Sequence, residues 1–166
     1  LTSLGLSDNR LGGSVPESIR KLTNLQLLGL DDNSLEADLE IFGALTNLRF
    51  LYLDGNRIND KLTPSLLERW PKMVELDLSE NYISGTIPDE LFSHRTLKVV
   101  DLHANRLTGR IPEVTVETNV QLEFLALHEN ELSRSIPSSI DLLRSLRHLD
   151  LSNNDLVSTV PTNMGT

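Results

Sequence analysis

One pattern fills this chain and restricts what it can fold into. The spacing L-x-x-L-x-L-x-x-N-x-L begins at Leu1, Leu25, Leu48, Met73, Leu97, Leu122 and Leu146, seven copies at steps of 23 to 25 residues. A fixed period of this length marks a solenoid, in which each copy cannot bury its own apolar face and must stack on the next. Alternate side chains of a strand face opposite ways, so the fourth and sixth positions of each copy share one face. Leu4 and Leu6, Leu28 and Leu30, and their equivalents through Leu149 and Leu151 are therefore expected to stack inward. The pattern asparagine occurs in every copy: Asn9, Asn33, Asn56, Asn81, Asn105, Asn130 and Asn154. Its amide both donates and accepts, so a ladder of these side chains can satisfy backbone groups that a buried turn would strand.

The second half of each copy is less regular. Gly-x-[Ile/Val]-Pro stands at Gly13–Pro16, Gly85–Pro88 and Gly109–Pro112, with weaker versions ending at Pro137 and Pro161. Proline fixes φ and lacks an N–H, which suits an edge or the start of a short helical turn. The apolar spacing that follows, Ile19 and Leu22 or Ile140 and Leu143, fits about one turn of helix closing the back of the coil. The second copy lacks the motif, the third shifts its proline to Pro64, and the fifth runs PEVTVETNVQ, with Val and Thr where a helical turn is usual. The back is thus expected to be irregular in its middle, with Trp70 plugging a gap.

Written as LxxLxLxxNxLxGxIPxxLxxLxx, the copies resemble the plant-type leucine-rich repeat, over essentially all 166 residues. Repeats of this kind are typical of receptor-like kinases, receptor-like proteins and polygalacturonase-inhibitor-like proteins. The resemblance implies an α/β fold: a right-handed solenoid of seven repeats, with a parallel sheet on the concave side and 3₁₀ or irregular segments on the convex side. It also implies an extracellular or membrane-anchored ectodomain. Residues 1–166 read as one repeat domain without visible end caps, which solenoids need, so the segment is expected to belong to a larger protein.

Composition excludes several functions. The net charge of −9 argues against nucleic acid and anionic membranes, which call for clustered Lys and Arg. With no cysteine there is no disulfide, thiolate metal site or thiol nucleophile. No Asn-x-Ser/Thr sequon occurs, and no apolar run approaches the ~18 residues of a membrane span.

The variable positions around the inward leucines fall on the concave face. Thirty-five such positions carry eleven acidic and three basic residues, nearly all of the chain's net charge. A groove of this kind attracts basic partners. Asp and Ser are also habitual at some of these columns in the family, as at Asp77 to Ser79. Against the acids stand Leu27, Phe50 and Tyr52 on the second and third strands, and Val99 and Phe124 on the fifth and sixth. Exposed apolar groups framed by polar ones make interaction hot spots. Candidate partner-binding residues are Leu27, Phe50, Tyr52, Asp54, Glu75, Asp77, Val99, Asp101, His103, Phe124, His128 and His148.

Other chemistry is weaker. His103 and His128 share a column on neighbouring strands beside carboxylates, a pairing that zinc or a pH switch could use, but the spacing fixes no third ligand. Asp31, Asp32 and Asp54 lack the spacing of a calcium loop. Asp77 and Asp101 are a carboxylate pair, yet an open sheet offers no pocket in which to raise an acid's pKa. No metal, cofactor or enzymatic activity is expected. The leading reading is recognition of a protein or peptide, its partner basic, through the concave face. The alternatives are a scaffold subunit in a larger assembly and an inhibitor of a hydrolase.

Overall fold

The computed structural model describes residues 1–115 and 121–162. In chain order the strands are β1 (Ser3–Gly5), β2 (Gly12–Ser14), β3 (Leu27–Gly29), β4 (Ser34–Glu36), β5 (Phe50–Tyr52), β6 (Glu75–Asp77) and β7 (Ser84–Thr86). They continue as β8 (Val99–Asp101), β9 (Arg106–Gly109), β10 (Phe124–Ala126), β11 (Glu131–Arg134), β12 (His148–Asp150) and β13 (Asp155–Leu156). The first strand of every repeat joins one seven-stranded sheet, β1-β3-β5-β6-β8-β10-β12, parallel throughout. Its inward row includes Leu28, Leu51, Leu76, Val100 and Leu125, all without solvent exposure. The end repeats depart from the inward expectation: Leu4, Leu149 and Leu151 are half-buried and Leu6 is 39% exposed. The end strands have a neighbour on one side only, so half of the stacking contact is missing there.

The chain leaves six of these strands and the first through one conformation. Asp8, Asp32, Gly55, Glu80, Ala104, Glu129 and Asn153, one per repeat, all have φ between 49° and 61°. That left-handed turn is followed at once by the pattern asparagine. Asn81 is buried; its amide donates to the carbonyls of Leu53 (2.9 Å), Leu78 (3.3 Å) and Ser79 (2.9 Å), and its Oδ1 accepts from the Ile58 N–H (2.9 Å). Asn33, Asn56, Asn105, Asn130 and Asn154 repeat both halves of this arrangement, each reaching the preceding repeat. The Asn9 side-chain amide, in the first repeat, donates to Leu6 and Ser7 of its own turn.

A second, broken sheet runs beside the first: β2-β4, and β7-β9-β11-β13. It enters a second left-handed position, at Gly13, Gly85, Gly109, Arg134 and Ser158, with φ between 72° and 84°. The equivalents in the second and third repeats are Ala37 and Asp60, where the glycine motif is lost and the sheet breaks. Across the break, Tyr82 N donates to Ile58 O (2.9 Å), Ser84 N donates to Asp60 O (2.9 Å), and Lys61 bridges to Ser84.

The back is closed by 3₁₀ turns at Glu17–Lys21, Leu39–Ala44 and Ser138–Leu142 and by short α-helices α1 (Pro64–Glu68) and α2 (Glu90–Ser93). The shifted Pro64 starts α1, where its missing N–H has no helical partner to lose, and Thr63 caps it by accepting from Leu66 N at 3.3 Å. Phe42, Trp70 and Phe92 lie fully buried on this side, and the Trp70 indole N–H donates to Phe42 O at 3.1 Å. Trp70 thus fills the irregular stretch. Of PEVTVETNVQ, residues 112–115 have no helical turn and 116–120 lie outside the described residues.

Two substitutions test these devices. Asn81→Ala leaves a buried N–H and buried carbonyls unpaired, at ~1–3 kcal/mol per orphaned group. Urea denaturation is expected to show a loss of about 3 kcal/mol or more, against about 1 kcal/mol or less for Asn9→Ala. Arg134→Gly relieves a side chain held at φ 72° and is expected to raise stability by about 0.5–1 kcal/mol in the same assay.

Candidate ligand-binding face

The face opposite the inward leucines is built in rows by strand register. Ser3, Leu27, Phe50, Glu75, Val99, Phe124 and His148 are mutual partners across the sheet. Two residues on, Gly5, Gly29, Tyr52, Asp77, Asp101, Ala126 and Asp150 form the next row. Asp54, His103 and His128 follow just beyond their strands. Of the twelve residues singled out from the sequence, eleven are half-buried and His148 is exposed.

The rows bring some side chains into contact. The Phe124 and His148 rings stack at 4.4 Å between centroids and 6° between planes. His103 and His128 also stack, at 4.4 Å and 7°. Asp101 Oδ1 lies 2.7 Å from His103 Nδ1 and accepts from the His103 N–H at 3.1 Å; Glu80 stands 3.7 Å from Nε2. His128 Nδ1 is 3.5 Å from Asp150, whose carboxylate accepts from the Ser152 N–H and hydroxyl. Parallel rings point their nitrogens side by side instead of toward one centre, an arrangement unlike a tetrahedral zinc site. The guanidinium carbon of Arg49 sits 5.7 Å from the Phe50 ring centre.

Crowded carboxylates shape the electrostatics of the middle strands. Asp54 is pushed up to about 7, first by burial and then by Asp77, Asp31 and Asp32. Burial also raises Asp77; hydrogen bonds from the Ser79 hydroxyl (2.6 Å) and N–H (3.0 Å) pull it back, and Asp101 adds to the rise. The Tyr52 phenol is pushed up to about 12 by burial and the Glu75 carboxylate. For His103 burial favours the neutral ring, but Asp101 and Glu80 outweigh it and the pKa rises. Among the described residues, Asp31, Asp32 and Asp54 are the one group of three potential metal ligands whose donor atoms lie within 4.8 Å of one another. The Ser7 hydroxyl donates to Asp31.

Contacts that the sequence reading lacks are the ring stacks, within the His103/His128 and Phe124/His148 columns, and the Glu80–His103 pair, which joins residues in different columns. It also lacks a lateral groove where the second sheet breaks, lined by Glu36, Asp38, Arg57, Asp60 and Tyr82. The Arg106 guanidinium lies 4.5 Å over the Tyr82 ring there.

A parallel sheet of one strand per repeat, with its variable side chains on one open face, defines a repeat-built solenoid. Models of the leucine-rich repeat match residues 1–58 and 95–156, and also 47–70 and 72–94. The chain belongs to the leucine-rich-repeat family. It is 36% identical over 93 residues to Receptor-like protein 34 of Arabidopsis thaliana, covering 55% of this chain and 9% of that protein. The chain spans 9–14% of the length of the first curated relatives it matches. The crystal structure of PEPR1 with AtPEP1 superposes with a TM-score of 0.89 at 30% identity, over 99% of this chain and 23% of that one. The Arabidopsis HAESA ectodomain with an IDA peptide hormone gives 0.88 at 32% identity, over 97% and 27%. Among the described residues no helix is long and apolar enough to cross a membrane.

The raised Asp54 has a consequence for stability. Its folded-state pKa, about 7, exceeds the ordinary 3.8, so the folded form binds the extra proton. That contribution is complete below about pH 4 and is lost as pH rises through 7. Asp54→Asn is therefore expected to raise Tm at pH 8 and leave it nearly unchanged at pH 4, as read by thermal melts at both pH values.

Proposed function

We propose that the chain is a ligand-recognition segment of a receptor-like protein and binds a basic peptide or protein on its concave face. The observation that carries this is the register of the sheet, which lays Leu27, Phe50, Tyr52, Val99 and Phe124 among Asp54, Glu75, Asp77 and Asp101 on one open surface. Apolar rings supply desolvated contact area, and the surrounding carboxylates supply steering and selectivity for positive charge. The similar HAESA ectodomain is in complex with an IDA peptide hormone ligand, which supports a peptide as occupant here. Contrary to the expectation that an open sheet cannot raise an acid's pKa, burial raises Asp54 and Asp77; both stand on an open sheet face, which supports binding in place of catalysis. The receptor-like relatives support an extracellular or membrane-anchored setting.

Peptides selected from a displayed library of random 12-residue sequences on the 166-residue chain test this reading. Their binding is expected to weaken at least tenfold on the Phe50→Ser/Tyr52→Ser double variant, with a Tm loss of a few degrees only. It is expected to survive Tyr82→Ser, in the lateral groove, and to weaken as salt rises. Equal affinity for the double variant and the parent chain would sink the concave-face reading.

A further inference from the structure

The apolar groups of the concave face form two stations that do not adjoin. Leu27 and Phe50 sit side by side on β3 and β5, and Val99 and Phe124 on β8 and β10. Strand β6 separates them and places Glu75 in the same row and Asp77 in the next. Phe50 and Phe124 are three strand steps apart, about 14 Å at ~4.8 Å per step.

This separation selects a backbone. An extended chain crossing the strands advances about 3.3–3.4 Å per residue, so about 14 Å is four residues. Side chains alternate, so residues i and i+4 return to the same face, as does i+2. An α-helix needs about nine residues for the same distance, and nine residues at about 3.6 per turn bring the second side chain to the opposite side. Same-face helical spacings of seven or eleven residues give about 10.5 or 16.5 Å, whereas at a span of about 14 Å the extended form sets both apolar groups down together. Its residue i+2 comes to lie about 7 Å along, between β6 and β8. There Asp77 and Asp101 are register partners and Glu75 faces Val99. The rise in Asp77 reflects burial and the charge of Asp101, a repulsion that a cation in this position relieves.

We infer that the occupant of this face is an extended peptide segment with large apolar side chains at i and i+4, on the Phe50 and Phe124 stations, and Lys or Arg at i+2 over Glu75, Asp77 and Asp101. The inference rests on the concave-face reading and adds to it a spacing and a charge position. Residues i+1 and i+3 point to solvent and carry no requirement.

The experiment is a displayed library of 12-residue peptides in which two Phe residues are separated by two to six positions and the remainder is random, selected on the parent chain. Peptides with Phe at i and i+4 and Lys or Arg at i+2 are expected to enrich at least tenfold over those with spacings of three or five. On Glu75→Lys the basic preference at i+2 should disappear or turn acidic, and the milder Glu75→Gln should weaken it. Equal enrichment at every spacing, no preference at i+2, or no enrichment above an unrelated control surface overturns the inference. Binders without the spacing that are still lost on the Phe50→Ser/Tyr52→Ser variant leave the concave-face reading standing. Binders indifferent to that variant remove both.

Discussion

Each coil of this protein leaves its strand through a residue of positive φ, and the backbone groups stranded by that turn are taken up by one asparagine amide. Because the same amide reaches into the preceding repeat, the bond that closes one turn also fastens it to its neighbour. Local structure and stacking therefore form together. A single copy would leave half of these donors and acceptors empty, which is why the repeats have no separate stability to speak of. The end repeats display the consequence: the Asn9 side chain serves its own turn, and Leu4 and Leu6 lose part of their cover.

Few aromatic residues are available, and they divide by face. Phe42, Trp70 and Phe92 are driven fully into the back, Phe42 and Trp70 in the repeats that lack or shift the glycine-proline motif. Phe50, Tyr52 and Phe124 stand on the concave side, where the inward leucines already complete the core. The fold has no packing use for them there. Their half-exposed surfaces are free for a partner, and the carboxylates around them are crowded enough to raise Asp54 and Asp77.

The same strand register governs both properties. It puts like charges of neighbouring repeats side by side, as at Asp77 and Asp101, and it also brings the His103 and His128 rings into a stack backed by Asp101 and Asp150. The third repeat is where regularity gives way. With Asp60 at this position and no left-handed residue there, the second sheet has no strand in this repeat, the lateral groove lies beside it and an α-helix begins at Pro64.

The sequence by itself determined the repeat, its period, the inward leucines, the asparagine ladder and the rows of the concave face, because a period of two within a strand and of about 24 along the chain assign every such position a side and a neighbour. The left-handed column was half-visible: Asp8, Asp32, Gly55 and Asn153 are residues that tolerate positive φ, but Glu80, Ala104 and Glu129 hide it. Only the tertiary structure decided the second sheet, the stacked rings, the Glu80–His103 pair and the raised carboxylates. Each depends on how closely side chains from different repeats approach and how far water is excluded between them. Spacing along the chain sets which residues can meet. Distance and burial, which are properties of the assembled coil, set what they do to one another.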